Sequence, residues 1–144
     1  MTGIKGVLRR ISAHALNQKE TAIAHSKKMG VRYEDMNYVV CHIGGGISVT
    51  AHQKGKMIDS NDLVSGDGPM TPTRSGSVQL APLVDYIFDN GLDRKTAKAF
   101  ATKTGGFVDL LGTSDAIKVF NMAQEGDRFA QLCWDAMIYQ LKTY

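Results

Sequence analysis

Cysteine is scarce in this sequence, and what there is sits in the wrong places for metal or disulfide chemistry. Cys41 and Cys133 are the only two in 144 residues, and neither belongs to a CxxC motif or a Cys/His cluster. That excludes a zinc ribbon and a disulfide framework, and leaves two buried free thiols in a reducing compartment as the expectation. Massed basic charge is missing too. Lys and Arg outnumber Asp and Glu by 17 to 14, a formal net charge of +3, but they are scattered and form no stripe interleaved with aromatics. Such a tilt suits a site for an anion and not a nucleic-acid surface. No apolar run reaches the ~18 residues of a membrane span, and the opening "MTGIKGVLRR" lacks the apolar core of a signal peptide. The expectation is a cytoplasmic chain with no membrane partner. The sequence also has no Ser/His/Asp set, no metal-ligand spacing, no internal repeat and no low-complexity segment.

What is present begins with enough chain for one domain with a modest core. A composition of 43% hydrophobic and 22% charged residues is that of an ordinary globular protein. After a lead-in of about ten residues, the pattern from Ala15 to Met29 is helical, with Gly30 as its stop and Lys27 and Lys28 suited to the C-terminal end. "NYVVCHI" (Asn37 to Ile43) is an almost continuous apolar run, which predicts a strand covered on both faces. "ISVTAHQ" (Ile47 to Gln53) is a second strand, "KGK" a turn, and Met57 to Asn61 a third strand. Short connections make the three antiparallel neighbours. Asp62 to Ser77 has no period and is rich in Gly and Pro; a loop of that length inside a compact domain is usually functional or disordered. Leu80, Leu83, Val84, Ile87 and Phe88 then form one apolar stripe of a helix ending at Asn90-Gly91. Asp93 is a candidate N-cap for the next helix, Thr113 or Ser114 for the one after, and Asp127 for the last. In that last helix Phe129, Leu132, Cys133, Ala136, Met137, Gln140 and Leu141 make the expected inner face.

Three constellations could carry chemistry. Gly44, Gly45 and Gly46 stand between two β-branched runs. They are either a tight hairpin that needs positive φ or a turn left bare so that backbone N–H groups can approach a phosphate, with His42 and Ser48 adding donors. The triplet is not GxGxxG and opens no helix, which argues against a Rossmann site and a Walker loop. A phosphate-holding hairpin between antiparallel strands suits the actin-like and sugar-kinase class of ATPase fold. Arg74 lies in "MTPTRSGS", where small residues and two prolines surround a guanidinium. It is either solvated or held to grip a carboxylate or phosphoryl group by two parallel hydrogen bonds. His14, in "RRISAHALNQK", lies beside Arg10 and Asn17 near a helix N-terminus, where anions are favoured. His25 and His52 read as surface residues, and Gly112, Thr113, Ser114 and Asp115 as an N-cap motif.

Taken together, "RRISAHALNQK", "HIGGGISVTAHQKG", "GDGPMTPTRSG" and "KTGGFVDLLGTSDA" resemble the acetate and butyrate kinase family, in order and spacing over nearly the whole chain. The "HALNQK" and "HIGGG" forms are most similar to butyrate kinase, the branched-chain fatty-acid kinase. The resemblance implies reversible transfer of the ATP γ-phosphoryl to a short-chain carboxylate, giving an acyl phosphate and ADP with Mg²⁺. By the same resemblance His14 and Arg74 are catalytic, and His42, Gly44, Gly45, Gly46 and Ser48 hold nucleotide phosphate. Gly112, Thr113, Ser114 and Asp115 fall near the nucleotide cleft, and no metal ligand is assigned. The phosphate loop reads His-Leu-Gly-Asn-Gly in acetate kinases, so Gly45 stands where those have asparagine, which favours the butyrate branch. Acetate or propionate kinase is the nearest alternative.

The implied fold class is α/β: part of an actin-like (ASKHA, ribonuclease H-like) ATPase fold, a three-stranded antiparallel meander followed by helices. Residues 1–30 are expected to end a first actin-like domain and residues 31–144 to begin a second. The family's N-terminal phosphate loop, first substrate arginine, catalytic aspartate and adenosine motif are not found, so the chain reads as the middle segment of a longer enzyme and is expected to be inactive alone. A non-catalytic dimerisation module is the alternative of another class, since the second domain mediates homo-oligomers in this family.

Overall fold

From Ala15 to Ser60 the elements form within a residue or so of where the periodicity puts them. A computed structural model describes residues 2–144; Met1, the first residue of the expected lead-in, lies outside the described residues. Helix α1 (Ala15–Lys28) stops at Met29, and Gly30 takes the left-handed φ of +69° that the stop requires. Strands β1 (Asn37–Ile43), β2 (Ile47–Gln53) and β3 (Lys56–Ser60) form an antiparallel sheet in the order β1-β2-β3. Gln53 faces Lys56 across a two-residue turn in which Lys54 and Gly55 have φ of 46° and 80°. This is the hairpin turn whose twist matches that of the flanking strands.

The chain divides into two compact units. One comprises the residues up to His42 with Ser48–Asp62, the other Ile43–Ile47 with Leu63–Tyr144. In the first unit, α1 seats on the sheet through a polar inner face. Gln18, Ala22 and Ser26, spaced by four, are its buried residues. Gln18 Nε2 donates to the carbonyls of Val40 (3.0 Å) and Ser48 (2.9 Å), and its Oε1 accepts from Thr50 Oγ1 at 2.6 Å. One turn of helix further along and then another, Ser26 Oγ is 2.7 Å from the Tyr38 hydroxyl.

Two expectations fail in this unit. Strand β1 is not covered on both faces: exposed and half-buried residues alternate along it, and Val39 and Ile43 are largely exposed. It is an edge strand, whereas the central β2 carries the buried run Ile47 to Thr50. Cys41 on β1 is therefore exposed, and only Cys133 is the buried thiol expected. His52 is the second correction. It is 2% exposed, with Nδ1 2.7 Å from the Tyr33 hydroxyl. His25 is exposed, as expected.

Burial, and then the charge of Lys19, hold the His52 imidazole below its ordinary pKa. On acidification the unfolded chain takes up a proton that the folded chain refuses. Stability is thus complete above the ordinary histidine range and falls as the pH drops through it. Urea midpoints should decline from about pH 8 to about pH 5, and His52→Gln should flatten that decline. Identical slopes would remove His52 as its source.

In the second unit, helices α2 (Leu80–Asp89), α3 (Arg94–Ala99), α4 (Phe107–Leu111), α5 (Ala116–Gln124) and α6 (Arg128–Thr143) follow the long loop. Asp93 caps α3, accepting the Thr96 N–H at 2.7 Å, and a single π-helical turn, Phe100–Thr104, continues it. The apolar stripe of α2 is mostly open: Leu80, Val84 and Phe88 are exposed. Leu83 joins Tyr86, Met70, Phe100 and Leu110 around a cavity of about 310 Å³.

Helices α5 and α6 pack on one another. Asp127 caps α6 as expected, accepting the N–H groups of Phe129 and Ala130. The inner face of α6 agrees with the expectation at Cys133, Ala136, Met137, Gln140 and Leu141 and departs from it at Phe129 and Leu132. Ala130, Cys133 and Met137 are buried, and Trp134 lies against Phe107 and Phe120, while Phe129 and Leu132 point outward. For α5 the cap is Asp115 and not Thr113 or Ser114. Its carboxylate accepts from Ile117 (2.9 Å) and Lys118 (3.1 Å), after a left-handed Gly112 has turned the chain.

Candidate anion-binding site

The loop around Arg74 is short of regular structure but tightly held. The Thr71 N–H donates to the Arg74 carbonyl at 3.1 Å, closing a turn. The Ser75 N–H donates to the Phe100 carbonyl (2.9 Å) in the π-helical turn, and the Val108 N–H of α4 donates to the Pro72 carbonyl at 3.0 Å. Gln140 of α6 accepts the Met70 N–H at 2.7 Å. Gly105 and Gly106 pass directly beneath this turn. A Cβ on Gly106 would collide with the Thr71 carbonyl and lie 2.8 Å from that of Arg74, and the residue has a left-handed φ of +67°. Only glycine fits there, because the neighbouring atoms are backbone and cannot yield.

The Arg74 guanidinium ends against the glycine triplet. A Cβ on Gly46 would land on Arg74 Nη1, and would lie 2.6 Å from Cζ. Neither Gly45 nor Gly46 has left-handed φ, so positive φ is not what these two glycines supply. Gly46 is bare because a cation lies over it, and Gly45 opens onto space with no protein atom within 4 Å of its Cβ position. Its carbonyl accepts from Thr71 Oγ1 (2.9 Å) and Thr73 Oγ1 (3.0 Å). Arg74 Nε and Nη1 are sealed from solvent and meet no hydrogen-bond acceptor among the described residues. A buried donor without an acceptor costs about 1–3 kcal/mol, and more when charged. This guanidinium is chemically matched to a carboxylate or phosphoryl oxygen.

The first unit holds the histidines. His14 precedes α1, and its ring stacks on that of His42 with centroids 3.6 Å apart and planes at 16°. Ser48, fully buried, fixes His14. Its Oγ is 2.8 Å from Nδ1 and 3.4 Å from the His14 backbone N–H. Which partner donates in the Ser48–His14 ring contact depends on the tautomer; with either, the serine fixes the orientation of the imidazole. His42 Nδ1 lies 2.9 Å from Asn17 Oδ1, which orients the second ring. Gly112 to Asp115 lie at the start of α5, where Asp115 is engaged as the cap. Among the described residues no group of three or more His, Cys, Asp or Glu could hold a metal ion.

The sequence singles out Arg74, His14 and the glycines but not Thr71, Thr73, Gly105 and Gly106, which hold the Arg74 turn and the Gly45 carbonyl. "TPTR" and "TGGF" were visible as strings; that one clamps a carbonyl and the other passes under a turn depends on contacts between segments about 30 residues apart.

The acetokinase family model matches residues 4–144. The chain belongs to the acetokinase family. It is similar to the crystal structure of acetate kinase from Porphyromonas gingivalis, at 25% identity and a TM-score of 0.87, covering 95% of this chain and 35% of that one. A propionate kinase from Francisella tularensis subsp. tularensis SCHU S4 is 28% identical with a TM-score of 0.82, covering 94% and 35%. Acetate kinase from Entamoeba histolytica, at 22% identity, shares the fold with a TM-score of 0.78. The chain thus spans about a third of the length of these solved acetokinases. The expected fold class, an α/β portion of an actin-like ATPase fold with a three-stranded antiparallel sheet, holds. No helix among the described residues is long and apolar enough to cross a membrane.

Proposed function

We infer that this chain serves an ATP-dependent carboxylate kinase, in which a short-chain carboxylate takes the γ-phosphoryl of ATP to give an acyl phosphate and ADP. The observation that carries this reading is the Arg74 guanidinium, sealed over Gly46 with Nε and Nη1 lacking an acceptor. Phosphoryl transfer asks a protein mainly for positioned positive charge on the equatorial oxygens, and a pinned arginine beside bare backbone supplies it. The family resemblance gives His14 a second charge-stabilising role, and the Ser48 contact orients its ring for that. His42 and Gly44 to Gly46 would hold nucleotide phosphate, with Gly112 to Asp115 near the nucleotide. Mg²⁺ would accompany ATP. In the longer protein residues 1–30 would close the first actin-like domain and residues 31–144 open the second, which would also carry a homodimer contact.

Butyrate or isobutyrate is the favoured acceptor, because Gly45 replaces the asparagine of the acetate-kinase loop; acetate and propionate are the alternatives. An acyl pocket discriminates by only about 1–3 kcal/mol per methylene, so relative kcat/KM decides. Acyl phosphate formation by the full-length enzyme should be fastest with butyrate or isobutyrate, and the 144-residue chain alone should show none. A clear preference for acetate would overturn the butyrate reading. Turnover by the chain alone would show that it holds a complete site.

A further inference from the structure

Thr71 and Thr73 flank Pro72, three residues and one residue before Arg74, and both hydroxyls converge on one acceptor, the Gly45 carbonyl. Thr71 is 2% exposed, and its Oγ1 also accepts the Thr73 N–H at 3.3 Å, which ties the Thr71 hydroxyl to the backbone that carries Thr73. Two donors on one carbonyl fix the orientation of that peptide plane. In a planar trans peptide the carbonyl and the following N–H point in opposite directions. Holding the Gly45 oxygen toward the threonines therefore turns the Gly46 N–H away from them. Without the clamp a glycine-glycine peptide is the easiest in the chain to flip, and a flipped peptide would present an oxygen where an anion must bind.

On the reading given above, we propose that Thr71 and Thr73 are positioning residues that clamp the Gly45–Gly46 peptide plane. The Gly46 N–H and the Arg74 guanidinium then act as one preorganised cradle for a phosphoryl oxyanion. Neither threonine touches the anion. Each acts through Gly45, and both lie on the segment that delivers Arg74, so the two halves of the cradle move together. Preorganised donors gain their effect from needing no reorientation when charge develops, and a clamp at the back of the peptide provides that.

The test uses inorganic phosphate as the probe and the amide resonance of Gly46 as the readout, with the 144-residue chain at constant ionic strength. In the wild type the Gly46 shift should saturate with phosphate, and Arg74→Ala should abolish the saturable part. The double variant T71V/T73V, which keeps volume and removes both hydroxyls, should lose it as well, whereas T71S/T73S should retain it. In the full-length enzyme the valine pair should lower kcat by about tenfold to a hundredfold with little change in the KM for ATP, as expected for an interaction expressed in the transition state. If the valine pair does not fold, T73V alone, at the half-buried hydroxyl, gives the same comparison at smaller amplitude. A valine pair that binds phosphate like the wild type while Arg74→Ala does not would overturn the clamp and leave the anion site standing. A wild-type shift indifferent to Arg74→Ala would overturn the site itself, and the clamp with it.

Discussion

Arg74→Ala in the full-length enzyme should lower turnover by about 10³-fold and leave the KM for ATP close to that of the wild type. The figure is what a positioned cation or oxyanion donor contributes to phosphoryl or acyl transfer. Arg74→Lys should not restore it, because an ammonium cannot offer two parallel N–H groups in a plane. The sharper prediction concerns Gly46→Ala. The new methyl would occupy the place of Arg74 Nη1, and the tip of a long side chain is what moves. The guanidinium swings aside at little cost to folding, so Gly46→Ala should copy most of the Arg74→Ala defect with an unchanged melting temperature. Gly45→Val should behave differently. Its Cβ meets no heavy atom beyond its chain neighbours within 4 Å, so a loss of nucleotide affinity with unchanged stability reports on a ligand in that space. Steady-state kinetics of the three variants, beside thermal unfolding, separate these cases. Full activity in Gly46→Ala would show that the arginine does not work from the position seen here.

The glycine triplet shows how far the residues alone could be read. That Gly44 to Gly46 answer to something beyond a turn was legible, because the cost of three flexible residues in a hairpin calls for a reason. The reason was not legible: a guanidinium arriving from Arg74, 28 positions along the chain, is a tertiary contact. Asp93 and Asp127 were readable as caps because capping is local, whereas Asp115 was displaced by two competing residues, Thr113 and Ser114, that cap about as well. The inner face of α6 is legible at Cys133 and Met137 and misread only at Phe129 and Leu132, where Ala130 is buried instead, because apolar periodicity weighs side chains by hydrophobicity and packing weighs them by fit. Strand β1 looked doubly covered since its apolar run is real, but in this chain it is the sheet edge.

The same blindness to polar packing hid Gln18, whose loss should be the most damaging to folding. The inner face of α1 is Gln18, Ala22 and Ser26, a stripe that no hydrophobic periodicity would pick out. Gln18, 0% exposed, uses its amide nitrogen on two strand carbonyls and its amide oxygen on the Thr50 hydroxyl, so it ties the helix to β1 and β2 at once. Gln18→Leu keeps the volume and removes three hydrogen bonds, two of them buried. At about 1 kcal/mol for each bond, with more wherever a partner is left unsatisfied, the loss should be about 3 kcal/mol, a large share of the stability of a chain this size. Gln18→Glu distinguishes a hydrogen-bonding role from a packing role. Its carboxylate would face the carbonyl oxygens of Val40 and Ser48, which disfavour the charged form and raise its folded-state pKa above the unfolded value. The folded variant then binds a proton that the unfolded chain releases, so its deficit relative to wild type should shrink below the ordinary glutamate range and grow as the pH rises through it. Gln18→Leu should show a deficit that does not change with pH. If urea unfolding at about pH 4 and about pH 7 gave Gln18→Glu the same deficit, the two carbonyls would not be what Gln18 serves.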